Sequence, residues 1–493
     1  MPLTEEQTAV VDSSSPSVVV NAFAGAGKTS TLRAYAEARP NKRVLFVAFN
    51  RSVAEEAKGR MPAHVRVKTS HALAWAAVAR GWNAAKLQGK FNAWALLRQK
   101  LPHLDGEQGV ARADALVRFL NGFCQSRSPT LHDHAKHLDD EELLRLSIAR
   151  ADFLSLAETV WGRMSDGQDA FPATHDTYFK LWQMSRPRLP YDVILLDEAQ
   201  DTNPALFDVF VRQEHAVRVL VGDRHQNIYG FRGAMNAMEA FKGEGVGRYA
   251  LTHSFRFGPK IADVANLILH EFKNESLRLI GSGADTGVVG ESHEPPSRMK
   301  TGMLFRTNAG LFDAAASICL HGGKGIHFLG GFQGYAFDDI LDTYHLATGR
   351  KSSIKNPFLR GFRGFEELQD YAEQVDDKEI KVRCRVVEKY WHQLPHIYRS
   401  IEAAASDDGQ LTMTTAHKAK GSEWDQVILA DDFPSLCRDG KPNTARYQTK
   451  KESVMPASEA NLWYVAVTRA RKRLKINSAL ADLLRNSKGA ARA

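Results

Sequence analysis

Apolar and polar positions follow two rhythms along this 493-residue chain. Short β-branched runs, Ser17 to Asn21 (SVVVN), Arg43 to Ala48 (RVLFVA) and Val65 to Lys68, read as buried strands. A loop rich in Ala and Gly and a helical stretch ending near Pro40 separate the first two, and a helix through Ala54 and Ala57 follows the second. Strands alternating with helices at this spacing predict a parallel, doubly wound sheet. From His71 to Tyr191 the strand rhythm fades. Ala93 to Lys100, Ala111 to Phe123 and Asp140 to Val160 are amphipathic at helical spacing, which predicts a helical insertion. Strands resume at Val193 to Leu196 and at Val217 to Val221.

A second α/β unit is expected to begin near Tyr249. Its elements are a strand at Met303 to Arg306, a helix to Leu320 and a strand ending at Gly330 and Gly331. The stretch 332–408 reads as mostly helical, and strands return at Leu411 to Thr414 and Gln426 to Ala430, with a last helix–strand pair over Glu459 to Ile476. The predicted fold class is therefore α/β, with two similar units each interrupted by a mainly helical insert. The boundaries read as 1–75 with 190–248 for the first unit and 76–189 for its insert. The second unit takes 249–331 with 409–493, and its insert 332–408.

Composition narrows the classes without choosing among them. Hydrophobic residues make up 43% and charged residues 25%, which excludes disordered, collagenous and coiled-coil chains. No stretch approaches the roughly 20 uninterrupted apolar residues that span a bilayer, so no membrane partner is expected. Glu5, Glu6 and Asp12 interrupt any leader-like pattern at the N-terminus, and a cytoplasmic chain is expected. Cys124, Cys319, Cys384 and Cys437 are too far apart in sequence to suggest a disulfide framework or a cysteine zinc site. The net charge of +8 is a faint hint of a polyanionic partner.

The candidate chemistry changes the picture. Ala22 to Thr29 reads AFAGAGKT, directly after a strand and opening a helix. Gly25 and Gly27 let backbone N–H groups approach phosphates that rest on the positive end of the helix. The loop residues Ala24, Gly25, Ala26, Gly27, Lys28, Thr29 and Ser30 would line the phosphates. Lys28 brings a compact charge to the β- and γ-phosphates, and the Thr29 hydroxyl is a ligand for Mg²⁺. The general pattern starts with Gly, where this chain has Ala22. Asp197 and Glu198 end the apolar strand YDVILL, within DEAQD. Adjacent acids at the carboxyl edge of a parallel sheet suit phosphate cleavage, Asp197 holding the metal and Glu198 acting on water.

Gly222 to Ala234 reads GDRHQNIYGFRGA, again after a strand. Gln226 stands where it can sense a γ-phosphate. Tyr229, Phe231 and Arg232 interleave rings with a cation, a combination suited to single-stranded nucleic acid. Taken alone, either ring reads more simply as core. Arg256 (in HSFRF) and Arg469 (in YVAVTRARKR) lie in the second unit and are candidates for stabilising transferred phosphate. Were they to reach a nucleotide held by the first unit, closure would assemble the catalytic site and couple hydrolysis to motion. A lone arginine is more often a surface residue. The tract LHDHAKH, Leu131 to His137, reads as a solvated polar loop rather than a metal site.

The ordered series resembles the UvrD/Rep group of superfamily 1 DNA helicases, over nearly the whole chain. LTEEQ looks like that group's glutamine motif, which implies that Gln7 reads adenine. AFAGAGKT is similar to its phosphate loop, in which Ala commonly stands first. VAFNRSVAEEA and KTSHALA resemble motifs Ia and Ib and imply that Phe49, Asn50 and His71 lie near the DNA strand. DEAQD and VGDRHQNIYGFRGA resemble motifs II and III. The SFR around Arg256 looks like motif IV, implying that Phe255 stacks on adenine. LFRTNA is a further signature. TTAHKAKGSEWDQVIL resembles motif V, which implies Thr415 and His417 on DNA phosphates and Glu423 on the ribose, and WYVAVTRARKRL resembles motif VI. Within the group, VAFNRSVAEEA, DKEIKVRCRVVEKY, HKAKGSEWDQVILADDF and LWYVAVTRARKRL are most similar to the catalytic region of the F-box DNA helicases.

The resemblance implies two RecA-like P-loop domains, ATP with Mg²⁺ as cofactors, and a 3′→5′ motor that moves on single-stranded DNA and opens duplexes at single-strand/duplex junctions. It points to DNA repair or recombination control, with repair or recombination proteins as partners. A translocase that strips bound proteins, a DNA-binding subunit using ATP as a switch, and an RNA helicase are the alternatives. Departures are a motif Ia about one residue short, Ser422 and Trp424 around Glu423, and Phe255 in place of a common Tyr. The second insert, about 80 residues, is smaller than the usual 2B domain, and neither the F-box nor a C-terminal tail is expected.

Overall fold

In the computed structural model the described residues are 2–88, 91–106, 108–230, 233–284, 287–290, 299–374, 377–445 and 454–490. The chain divides into two units, Met1–Phe23 with Gly27–Leu251, and Ala24–Ala26 with Thr252–Ala493.

The first unit is built on β1 (Ser17–Ala22), β2 (Val44–Ala48), β3 (Val65–Thr69), β4 (Val193–Leu196), β5 (Val217–Gly222) and β6 (Val246–Leu251). They form one parallel sheet in the order β3-β2-β4-β5-β1-β6. The central strands are covered on both faces, which is why β2 and β4 are buried at every position. Order reverses around β1, so the loops leaving the carboxyl ends of β1, β4 and β5 open at one crevice. The strand β6 was not anticipated. It lies beside β1, pairing Val20 with Tyr249, so this sheet runs to Leu251 and past the expected boundary at 248. Gly247 and Arg248 break its apolar rhythm, as an edge position permits.

Between β3 and β4 the chain is helical among the described residues, from Ser70–Ala74 to His175–Met184. Its centre is an apolar cluster of Leu116, Leu120, Phe123, Phe153, Val160 and Met164. Two lysines are buried there and spend their protons on carbonyls. Lys86 donates to Arg163, Asp169 and Phe171 at 2.8–3.2 Å, and Lys180 to Ser126 and Ser128 at 2.8 and 2.7 Å. Burial pushes the Lys180 ammonium down to about 8. The helical stretch expected from Asp140 to Val160 is built of two helices, Asp140–Arg145 and Arg150–Ser165. Ser147 between them has φ of 49°, a left-handed conformation that ends a right-handed helix. The tract at Leu131 to His137 begins with a short helix, Leu131–Ala135, rather than an open loop. His134 packs on Phe119 and Phe123, and burial pushes its imidazole down to about 4.

The second unit carries β7 (His253–Ser254) paired with β8 (Ile280–Gly281), and a second parallel six-stranded sheet. That sheet contains β9 (Gly287–Val289), β10 (Thr301–Phe305), β11 (Ile326–Phe328), β12 (Leu411–Thr415), β13 (Trp424–Leu429) and β16 (Ala470–Lys475), ordered β11-β12-β10-β13-β16-β9. A small antiparallel pair, β14 (Cys437–Arg438) and β15 (Lys441–Pro442), precedes the helix Ala457–Val467. Helices inserted between β11 and β12 share their core with the sheet: Tyr390, Leu394 and Ile397 pack with Phe312, Phe328 and Phe337. Among the described residues no helix is long and apolar enough to cross a membrane. Two parallel sheets, each with helices added, make this an α/β chain of the expected class.

Candidate functional site

In the first unit the site grows from the ends of three strands. After β1 the chain turns through Gly25 and Gly27, with φ of 76° and 78°, conformations open to glycine at little cost. The helix Lys28–Glu37 then begins with Gly27 as its cap, so Lys28, Thr29 and Ser30 form its first turn. Thr31 turns its hydroxyl back to the Gly27 carbonyl at 3.0 Å. This is a concave run of N–H groups at a helix N-terminus, the geometry that holds phosphate.

Lys28 Nζ lies 2.8 Å from Glu198 Oε1. Burial alone would push its ammonium down, but Glu198, Asp197 and Asp223 together outweigh it and hold the pKa above the ordinary value. Asp197 closes β4 and is buried; burial, then the charge of Glu198, pushes its carboxyl up to about 7. Its Oδ1 accepts the Glu198 N–H at 2.9 Å. Glu198 has φ of 50°, so the acid expected to act on water sits on left-handed backbone. Strain at such a position is held by its surroundings and clusters at functional sites. Asp197, buried after β4, and Thr29, in the first turn of the helix, carry hard oxygen donors of the kind that Mg²⁺ takes.

Two residues that sequence reasoning passed over organise these acids. The Gln200 amide donates to Glu198 Oε2, while its Oε1 accepts the Asp223 N–H at 3.0 Å. Asp223 Oδ2 in turn accepts from Gln226 Nε2 at 2.8 Å. A chain of hydrogen bonds therefore runs Glu198, Gln200, the Asp223 backbone and side chain, and Gln226, linking β4 to β5. A Cβ at Gly222 would sit 2.3 Å from Gln200 Oε1, so only glycine admits that contact. Both residues stood inside the quoted motifs, but nothing in their spacing revealed the link.

Gln7 lies in the helix Glu5–Val11 and is buried. Its carboxamide oxygen accepts the Thr4 N–H at 3.1 Å, closing a reciprocal cap that the sequence reading had not assigned to it. Asn50 is likewise engaged, its Oδ1 capping the helix Arg51–Lys58 through the Val53 N–H at 2.9 Å. Phe49, 43% exposed, lies parallel to Tyr229 with centroids 6.1 Å apart and 13° between planes. The two rings expected on nucleic acid are thus brought together. Phe231 and Arg232 lie outside the described residues. Phe49 and His71 line a cavity of about 80 Å³ together with Asp197, Glu198 and Asp201.

The second unit gathers its own cluster. Arg256 Nε meets Glu423 Oε2 at 2.7 Å, and its Nη1 donates to the Thr468 carbonyl at 3.0 Å. Arg471, not singled out from sequence, approaches Glu423 at 3.7 Å. Arg469 is fully buried and donates to the carbonyls of Val465 and Ser422 and to Thr468 Oγ1. The pairing of Trp424 with Ala470 across β13 and β16 explains why Glu423 and Arg469, one residue earlier on each, are neighbours. Phe255 is 37% exposed beside Arg256. Thr415 ends β12 and is buried, and His417 follows it, half-buried. Arg306 of LFRTNA forks onto Glu459 at 2.6–3.2 Å and so ties β10 to the helix preceding Arg469. Among the described residues no group of three or more His, Cys, Asp and Glu side chains could hold a metal.

Comparison with known proteins matches these two regions separately. A family model described as an AAA domain covers residues 6–232, and one described as a UvrD-like helicase C-terminal domain covers residues 359–480. F-box DNA helicase 1 of Gallus gallus is 35% identical over 95% of this chain and 48% of its own length. F-box DNA helicase protein 1 of Schizosaccharomyces pombe (strain 972 / ATCC 24843) is 30% identical over 98% of this chain and 58% of its own. DNA helicase IV of Escherichia coli (strain K12) is 25% identical over 96% of this chain and 68% of its own. The chain thus spans about half the length of the first two relatives.

Proposed function

The chain belongs to the UvrD-like helicases of superfamily 1, and on that premise we propose that it is an ATP-driven motor that moves 3′→5′ on single-stranded DNA and separates duplexes. The observation that carries this reading is the Lys28–Glu198 pair beside Asp197, at the mouth of a glycine loop and a helix N-terminus. It unites phosphate binding, metal binding and water activation within one sheet edge.

The roles follow from the contacts. A nucleotide phosphate arriving at the helix competes with Glu198 for Lys28, since Lys28 is a point charge with three donors. Glu198, relieved of the ammonium, is free to take a proton from the attacking water. Asp197 and Thr29 would hold Mg²⁺, which supplies charge stabilisation to the transferred phosphate. Gln226, tied through Asp223 and Gln200 to Glu198, relays the occupancy of the phosphate site toward Tyr229 on the same loop. Arg256 and Arg469 stabilise spreading charge on the phosphate, Gln7 and Phe255 contact the adenine, and Glu423 the ribose. Phe49, Tyr229 and Phe231 stack on bases, with Asn50, His71, Arg232, Thr415 and His417 beside the backbone. The biological setting under this reading is DNA repair or recombination control.

ATP turnover with and without oligonucleotides tests the assignment. Single-stranded DNA should raise turnover at least tenfold and RNA of equal length far less. Turnover indifferent to DNA, or driven equally by RNA, would remove DNA as the track.

A further inference from the structure

His71, a residue of the proposed DNA grip, has its side chain held by the helical insert. Its Nε2 lies 2.8 Å from Oδ1 of Asp176, 105 positions further along the chain. Asp176 stands in the first turn of the helix His175–Met184, where the positive helix end favours a carboxylate. Its other oxygen, Oδ2, accepts from Gln125 Nε2 at 3.2 Å. Both carboxylate oxygens are therefore engaged, and the carboxylate has no freedom to swing from the ring. Phe179, 5.2 Å away, and the edge-on Tyr178, 6.2 Å away, fix the ring plane.

Burial pushes the Asp176 carboxyl up, but the hydrogen bond and charge of His71, then Gln125, bring it below the ordinary range. An ionised Asp176 accepts only, so the proton on that side of the ring belongs to Nε2. Nδ1 is thereby left as the atom that faces any ligand. The other acids lining the cavity that His71 enters are Asp197, Glu198 and Asp201.

We propose that Asp176 is a positioning residue for nucleic-acid binding: through Nε2 it orients the His71 imidazole, which presents Nδ1 to the DNA strand. This rests on the DNA-motor reading above. The insert then contributes to the grip through the His71 ring. Gln125 holds the carboxylate, and Gly233 packs so closely that a Cβ there would lie 2.7 Å from Gln125 Oε1. The insert is thus braced against the loop that also carries Tyr229.

The test uses the full chain with oligo-dT as the probe, reading the DNA concentration that half-saturates ATP turnover and the turnover at saturation. Asp176→Asn keeps the size but loses the charge. It should raise the half-saturating concentration roughly tenfold, the scale of one charge-assisted hydrogen bond, with saturated turnover changed less than twofold. Asp176→Glu should recover part of that loss, and Gln125→Leu should cost about threefold. In a His71→Ala background, Asp176→Asn should add less than twofold, because its effect runs through the ring. An unchanged half-saturation, or the same tenfold loss without His71, would overturn the role. A wild-type turnover that DNA does not accelerate would overturn the DNA-motor reading itself and this role with it.

Discussion

In the first unit Lys28 meets Glu198 at 2.8 Å; in the second Arg256 meets Glu423 at 2.7 Å. Both pairs join a cation and an acid drawn from motifs singled out in the sequence. Their surroundings differ. Lys28 and Glu198 are mostly buried, Glu198 is on left-handed backbone, and Asp197 beside them is pushed up to about 7. Glu423 has 40% of its side chain exposed and is shared by Arg256 and Arg471. The first pair is tuned by desolvation and strain, so small changes there should alter chemistry. The second is a solvated clamp, so changes there should alter affinity.

The largest break in that contrast is Glu198→Gln. Loss of a general base should lower maximal ATP turnover about 10³-fold while nucleotide binding stays within a few-fold, measured by turnover and equilibrium titration. Equal losses in both would make Glu198 a binding residue like Glu423.

Asp197 sharpens the contrast through pH. Its carboxyl is raised above the ordinary 3.8, so the folded chain keeps a proton that the unfolded chain releases. Stability contributed by this group therefore falls as pH rises from about 4 to about 7, and is flat on either side. Asp197→Asn should stabilise the nucleotide-free chain at pH 8 by about 1–3 kcal/mol, the gain fading toward pH 4, as read by denaturant titration. In the wild type the Mg²⁺ concentration that half-activates turnover should rise as pH drops from 8 to 6, because protons compete for the same carboxylate.

Smaller effects belong to the second unit. Glu423→Gln should raise the KM for ATP by roughly fivefold with maximal turnover nearly unchanged, the signature of lost uniform binding. Arg471→Ala, an exposed pair at 3.7 Å, should change KM less than twofold.

The two regions were also unequally legible. The strands β1, β2, β4 and β5 announced themselves because buried parallel strands are nearly continuous apolar runs. The edge strands β6 and β9 did not, since Gly247, Arg248 and the three-residue Gly287–Val289 carry little pattern. The break at Ser147 within the helical stretch Asp140 to Val160 was not legible, because periodicity does not encode its backbone conformation. Lys28, Asp197 and Glu198 could be grouped from sequence because each stands in a short motif at the end of a strand, and the fold brings the three together. Gln200, Asp223 and Asp176 were not, because each acts through a partner brought near by the fold. Asn50 shows the reverse: its motif position was noticed, while its capping bond to Val53 was not.

Strand separation on tailed duplexes is the most direct test of the central claim. With saturating MgATP and single-stranded tails of equal length, the wild-type chain should separate 3′-tailed duplexes and leave 5′-tailed ones intact, and Glu198→Gln should separate neither. Separation from 5′ tails, or DNA-stimulated ATP turnover with no strand separation from either tail, would contradict the 3′→5′ unwinding motor.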